Sequence, residues 1–196
     1  ATRRSLELTQ SQSGTKKGSL LHTMDWCVSG AGSRLLFDWI SAPLQDLAAI
    51  NARLDLVELF HNDLSLRQSL RDVLKEIPDV ERTLARLTIG RGGPRDLENI
   101  SIGLQKSLNV IATLSNASAK ELLKPFLDQL SHDGQTSALL ETLSQSIMQD
   151  APAMARDGGF IAKGYHPELD RYRSIKEDSK KLIAELQGRY AQDTEI

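Results

Sequence analysis

The glycines in SGAGSRLLFDWISAPLQD, residues 29–46, have the composition of a phosphate-binding loop. Such a loop cradles phosphate with backbone amides at the start of a helix. A dinucleotide fingerprint needs a third glycine, where this chain has Leu35, and a buried strand before it, where HTMDWCV is a poor candidate. The Gly-Lys-Ser/Thr string of a P-loop is also absent. We therefore predict that Ser29 or the glycines start a helix that ends at Pro43. The predicted buried face of this helix consists of Leu35, Leu36, Trp39 and Ile40.

Residues that could bind a metal or attack a substrate are scattered along the chain. The four histidines have no acidic or cysteine partner at metal-ligand spacing: His22, His61, His132 and His166. The single cysteine, Cys27, excludes an internal disulfide and suits a reducing cytosol, and we predict that its thiol is buried. We find no catalytic constellation, and therefore predict no catalytic, cofactor-binding or metal-binding residue in this chain.

An arginine-rich stretch in the middle of the chain could form a phosphate-binding face. Its arginines are Arg67, Arg71, Arg82, Arg86, Arg91 and Arg95. Acidic residues are interleaved with them: Asp72, Glu76, Asp79, Glu81 and Asp96. A solvated helix surface with intrahelical ion pairs explains this pattern better, and the net charge of −2 offers no general attraction to a polyanion.

The elements that must position these residues are predicted to be helices. The chain has 31 leucines and only 5% aromatic residues, which favours helices over sheets. The predicted helices cover 46–60, 64–77, 79–89, 94–116, 118–131, 135–150 and 168–189. Asp46 is the expected N-cap of the first, whose apolar stripe is Leu47, Ile50, Leu54, Val57 and Phe60. Two short extended pieces are predicted, a strand at 3–9 and a segment near 160–162.

The charged C-terminal helix is predicted to protrude. Its neighbours at i,i+4 spacing alternate in sign: Arg173, Glu177, Lys181, Glu185 and Arg189. A narrow apolar seam runs along it: Tyr172, Ile175, Leu182 and Leu186. Such a seam requires one partner helix, as in a coiled coil, and the preceding sequence contains no obvious one.

Five segments resemble successive signatures of the MutS family of bacterial DNA mismatch repair ATPases. They are RRSLELT (3–9), LLHTMDWCVSGAGSRLLFDWISAPLQD (20–46), DVERTLARL (79–87), GPRDLENI (93–100) and RDGGFIAKGYHPELDRYR (156–173). The resemblance implies an all-α, irregular multi-helix core or lever domain over 1–166. It also implies that 167–196 begin a long lever helix leading toward a clamp domain. Ser5, Trp26 and His166-Pro167 depart from the common residues, which leaves the lineage or paralogue open.

The resemblance also implies properties of a larger protein. Family members are dimers that bind mispaired DNA through an N-terminal Phe-x-Glu motif and hydrolyse ATP, with Mg²⁺, at a C-terminal Walker-type site. Neither motif occurs in these 196 residues, so this segment is expected to couple the clamp to the ATPase mechanically. No membrane span is expected, and the cytoplasm is the expected location. The alternatives are an independent all-helical interaction module, a MutS-like paralogue without a repair role and, last, a small helical enzyme.

Overall fold

The computed structural model describes residues 2–117 and 119–193, and within these ranges the chain is all-α. The helices are α1 (Thr2–Ser5), α2 (Leu20–Met24), α3 (Gly30–Ser41), α4 (Leu47–Asn62), α5 (Leu64–Lys75), α6 (Val80–Thr88), α7 (Pro94–Ser115), α8 (Lys120–Leu130), α9 (Gly134–Ser146) and α10 (Pro167–Asp193). A 3₁₀ turn covers Ala155–Asp157. These ranges contain no β-strand, only an isolated bridge between Ile147 and Ile161. The predicted fold class is confirmed.

Most helix starts follow from side-chain capping. The predicted N-cap Asp46 accepts a hydrogen bond from the amide of Ala49 at 2.8 Å. Asp63, Asp79 and Asp133 cap α5, α6 and α9 in the same way. Each carboxylate pairs with an amide that has no intrahelical partner. These short-range rules place the helix starts within a few residues of their predicted positions.

The central element of the helical body is α7, against which α5, α6, α8 and α9 pack. The buried core lies at the C-terminal half of α7 and consists of Leu66, Val110, Leu114, Ala117 and Leu123. Gly103 permits the close approach of α6, because a Cβ there would lie 2.4 Å from Cγ2 of Val80. Half-buried side chains from α4, α5 and α8 surround this core.

The predicted buried face of α3 is wrong in part, and the predicted apolar stripe of α4 is only partly covered. On α3, Leu35 and Trp39 are exposed, whereas Leu36 and Ile40 are half-buried. On α4, the exposed members of the predicted stripe are Leu47, Leu54 and Val57. Helix α4 meets the core instead through Leu56, Leu59 and Phe60. Spacing identifies an apolar stripe, but the neighbouring helices determine whether that stripe is covered.

The strand predicted at 3–9 is also wrong. Residues 2–5 form the single helical turn α1, and Glu7 has a φ of 49°. The carbonyls of Glu7 and Leu8 accept from the amides of Leu20 and Leu21, at 3.0 and 2.9 Å. These residues thus pair with the beginning of α2 and not with a strand. Two alternating leucines are too short a pattern to specify a β ladder.

The extended piece predicted near 160–162 is present as the isolated bridge. The amide of Met148 donates to the carbonyl of Phe160, and that of Ala162 donates to the carbonyl of Ser146, both at 2.8 Å. Helix α9 consequently ends at Ser146, four residues before its predicted end at 150. The bridge satisfies backbone groups that a longer helix would have paired internally.

Candidate interaction surfaces

The glycine-containing segment forms the capped start of α3. Ser29 is its N-cap, and the hydroxyl of Ser29 accepts from the amide of Gly32 at 3.2 Å. A Cβ on Gly30 would lie 3.5 Å from Oδ2 of Asp79, so a carboxylate is next to the first turn. Nη1 of Arg34 would lie 3.7 Å from the same position, so paired side chains occupy the space that a phosphate would need at the helix N-terminus.

Arg34, which sequence reasoning did not single out, joins α3 to the start of α6. Its Nη1 and Nη2 donate to Oδ2 and Oδ1 of Asp79 at 2.7 and 2.8 Å. The same Nη2 donates to Oε2 of Glu81 at 2.7 Å. The hydrogen bonds from Arg34 lower the pKa of Asp79 to about 2. The carboxylate therefore stays ionised at neutral pH. No local motif marks this pairing, because 45 residues separate its partners.

Four of the six middle arginines bind protein oxygens between elements. Arg67 donates to the carbonyls of Phe60 and His61, and Arg71 donates to that of Trp26 at 3.0 Å. Arg86 binds the carboxylate of Asp96, and Arg95 donates to the carbonyl of Ala151 at 3.1 Å. Arg82 lies 3.6 Å from the carboxylate of Asp79, three residues earlier on the chain. The expected solvated helix surface thus also contains bonds that connect helices.

The predicted burial of Cys27 is wrong, because its side chain is exposed. It lies in the loop between α2 and α3, next to Asp25, whose carboxylate accepts from the hydroxyl of Ser33 at 3.0 Å. Partial desolvation, followed by a hydrogen bond with Asp25, raises the pKa of the Cys27 thiol. A raised pKa keeps the sulfur protonated, and a thiol is a poor nucleophile. A loop sequence contains no periodic signal from which this exposure could be predicted.

The structure does not bring the histidines together. His132 shares a 2.7 Å hydrogen bond with the hydroxyl of Ser107, while His22, His61 and His166 are exposed. Within residues 2–117 and 119–193, no group of three or more His, Cys, Asp or Glu side chains could hold a metal ion.

An open apolar groove of about 630 Å³ lies among α3, α4, α5, α7 and α8. Core side chains such as Leu114 and Leu123 form part of its lining, and Trp39, Val57 and Phe126 are exposed lining residues. The guanidinium of Arg53 lies 3.5 Å from the ring centroid of Trp39, at cation–π distance. Sequence analysis missed this groove, because its walls come from five helices.

The apolar seam of α10 is uncovered. The helix is anchored at its start, where Arg173 donates to the carbonyl of Ile161 at 2.8 Å and to Asp170 at 2.9 Å. Arg173 is therefore paired with Asp170 and not, as predicted, with Glu177. Every side chain from 174 to 187 is exposed, including the seam residues Ile175, Leu182 and Leu186, and the first seam residue, Tyr172, is exposed as well. An exposed apolar stripe on a charged helix is typical of a surface that binds another helix.

The fold is that of a helical domain that exposes a long amphipathic helix and an apolar groove. The whole chain, residues 1–196, matches the family model described as MutS domain III. The chain therefore belongs to the MutS domain III family, as the five sequence segments indicate.

Individual relatives support the same assignment. Over its full length the chain is 42% identical to the DNA mismatch repair protein MutS of Bartonella henselae. The MutS proteins of Rhodopseudomonas palustris strain BisB18 and of Caulobacter vibrioides are 43% and 42% identical over 98% and 100% of the chain. The chain covers 21%, 21% and 22% of these three relatives, or about a fifth of their length. In the described part of the chain, no helix is long and apolar enough to cross a membrane.

Proposed function

We propose that this chain is a helical segment of a DNA mismatch repair protein and couples the DNA clamp to the ATPase. The observation that carries this proposal is the uncovered seam on α10, in a chain whose whole length belongs to the MutS domain III family. Helix α10 has 27 residues and is therefore roughly 40 Å long. A rigid element of this length can transmit a displacement between two distant sites.

The seam suits a returning lever helix as its partner. Ile175, Leu182 and Leu186 form a narrow stripe between charged side chains, the pattern of a two-helix contact. We propose that this partner comes from a later part of the same polypeptide, beyond the clamp. Pairing along the seam would bury apolar surface and hold both helices in register.

The reaction chemistry is assigned to other parts of the protein. ATP and Mg²⁺ would bind at its ATPase site, and mispaired duplex DNA would be held by its recognition and clamp domains, in a dimer within the cytoplasm. Two observations support this assignment. The Arg34–Asp79 pair occupies the space next to the start of α3, and Arg67, Arg71, Arg86 and Arg95 already bind protein oxygens.

The coupling role can be tested by disrupting the seam in the whole polypeptide. Replacing Ile175 and Leu182 together by Lys places charges in the seam. We expect the variant to bind mismatched duplex and hydrolyse ATP, but hydrolysis should no longer respond to the mismatch. A variant carrying Lys176→Ala and Lys180→Ala, two exposed polar positions of α10, is the matched control and should retain the response.

The result identifies which part of the proposal fails. A response that persists in the seam variant would exclude α10 as the coupling element. Loss of hydrolysis without DNA would indicate an active-site role within the segment. A repair protein can be distinguished from a MutS-like paralogue by introducing it into cells that lack the native protein and measuring the mutation frequency. Only a repair protein would restore a low frequency.

The isolated chain provides a second test. We expect no ATP binding by calorimetry, and only weak, steeply salt-dependent binding to duplex DNA. Mismatch discrimination requires base-edge contacts or an inserted wedge, and the chain lacks the Phe-x-Glu motif. Micromolar ATP binding that is lost on substitution of Gly30 or Gly32 would contradict the proposal. Tighter binding to a G·T mismatch than to homoduplex would contradict it as well.

A further inference from the structure

Residues 4–41 are held together by their own hydrogen bonds. We refer to residues 4–41 as the N-terminal unit. The carbonyls of Glu7 and Leu8 accept from the start of α2, as described above. The carboxylate of Asp25 binds Lys16 at 2.5 Å and Ser33 at 3.0 Å, which links the loop before α2 to α3. These bonds lie within the unit and do not depend on the helical body.

The N-terminal unit contributes no side chain to the buried cluster at the C-terminal half of α7, and its own buried apolar side chain is Leu21, at 4% exposure. Every side chain of that cluster lies on α5, α7, α8 or the residues next to them. The half-buried residues that pack on the cluster come from α4, α5, α8 or the residues next to them. Helix α3, which faces the body, has no fully buried residue. Apolar burial is the main stabilising term where elements pack. Its small share here means that other contacts must hold the unit in place.

Those contacts are made by arginines. Three guanidinium groups make polar and ring contacts between the unit and the helices after it. Arg34 binds Asp79 and Glu81, Arg71 binds the carbonyl of Trp26, and Arg53 covers the ring of Trp39. The Arg34 cluster is the strongest of the three by geometry, because it combines a two-bond fork with a second carboxylate.

We propose that the N-terminal unit is a hinged arm that moves as one body, and that the Arg34–Asp79–Glu81 cluster is the latch that holds it closed. This inference concerns the mechanics of the chain and does not depend on the proposed coupling function. The hinge is the segment 42–46, which is exposed and connects the end of α3 to the start of α4. Among the described residues, this segment is the covalent link between the unit and the helical body.

The latch can open at little cost. The side chains of Arg34 and Asp79 are 32% and 29% exposed, so water can replace their mutual hydrogen bonds. Exposed charges are also screened by salt, with a Debye length of about 10 Å at 0.1 M. Asp79 retains a partner when the latch opens, because its Oδ1 accepts from the amide of Arg82 at 3.2 Å as the N-cap of α6. The acceptor therefore stays in place for reclosing.

Hydrogen exchange measured in the whole polypeptide tests the proposal. A detached 12-residue helix is only marginally stable, so the amides of α3 report on opening. Arg34→Met removes the guanidinium and keeps most of the side-chain length. Asp79→Asn removes the charge and keeps an acceptor for the cap. We expect both to speed exchange over residues 30–41 by roughly two- to fivefold, with residues 94–115 unchanged.

Salt dependence and a matched control distinguish a latch from a general stabilising contact. Raising the salt from about 0.05 to about 0.5 M should speed exchange over 30–41 in the unmodified protein but not in Arg34→Met. The control is Arg82→Met, which removes another arginine near Asp79; in the described part of the chain Arg82 shows no hydrogen bond or ion pair with the unit. The control should leave exchange over 30–41 unchanged.

Three results would overturn the proposal. The first is unchanged exchange over 30–41 in both latch variants, and the second is an equal rise over 94–115, which would indicate general destabilisation. The third is a salt response in Arg34→Met as large as in the unmodified protein. All three can occur while the seam variant of α10 behaves as expected, so a failed latch does not imply a failed coupling function.

Discussion

Arg86 and Asp96 connect the end of α6 to the start of α7 across a sharp turn. Nε and Nη2 of Arg86 both donate to Oδ1 of Asp96, with Nε at 3.0 Å. Oδ2 of the same carboxylate accepts from the amide of Gly93 at 3.0 Å. Asp96 is buried, and its pKa is lowered, first by Arg86 and also by the amide of Gly93. The carboxylate of Asp96 thus connects α6 to α7 and also caps the start of α7.

Replacing Asp96 should therefore destabilise the chain. Asp96→Ala removes both interactions and leaves the Gly93 amide without its acceptor, which should cost about 1–3 kcal/mol. Asp96→Asn keeps an acceptor oxygen and should cost less. Urea unfolding monitored by circular dichroism provides the comparison. Equal stability of the Ala variant and the unmodified chain would show that this junction does not contribute to folding.

The core at the C-terminal half of α7 should be sensitive to cavity formation. Leu123 is 1% exposed, and Leu123→Ala should lower the free energy of unfolding by about 2–5 kcal/mol, since the surroundings only partly fill the space. Leu139 on α9 is 47% exposed and provides a matched control. Leu139→Ala should change stability much less. Similar losses from both variants in urea unfolding would contradict the described core.

The turn before α7 should not tolerate a side chain at position 93. A Cβ on Gly93 would lie 2.0 Å from the carbonyl oxygen of Ala153, and this backbone atom cannot move independently. Gly93→Ala should cost about 1–3 kcal/mol of folding free energy. Gly134→Ala is the control, because nothing lies within 4 Å of its Cβ position in the described structure. Thermal unfolding should show a lower midpoint for the first variant and an equal or higher midpoint for the second.

Titration of Asp79 should show the effect of Arg34 directly. The pKa of Asp79 is about 2, below its ordinary value of 3.8. Because the pKa of Asp79 is lower in the folded chain than in the unfolded chain, its ionised carboxylate stabilises the fold at a pH above the unfolded-state pKa. This contribution is lost as the pH falls from about 4 toward 2. Carboxyl chemical shifts measured by NMR should show this low midpoint, and Arg34→Met should move it toward 3.8. A midpoint near 3.8 in the unmodified chain would exclude the ion pair.

Local signals in the sequence were sufficient for α3 to α10 and for most of their starts, but not for the short helices α1 and α2. Asp46 caps α4 as predicted, Gly90 ends α6 with a φ of 69°, and Pro94 begins α7. Capping bonds span three residues, and the restrictions of glycine and proline act on single residues. Such signals do not depend on the rest of the fold. The five segments that resemble the MutS family can likewise be identified without the structure, because they are defined by the order of residues in the sequence.

Burial and pairing, by contrast, depended on contacts between distant residues. Trp39 has helical spacing suited to a core, yet it is 41% exposed, because it lines an open groove in which the guanidinium of Arg53 lies over its ring. Cys27 is exposed in the loop between α2 and α3. Arg34 finds Asp79 across 45 residues, and no periodicity in the chain indicates that pairing. Helix formation depends on residues that are near in sequence. Exposure and ion pairing depend on residues that are near in space, and these spatial neighbours are defined only when the helices have packed together.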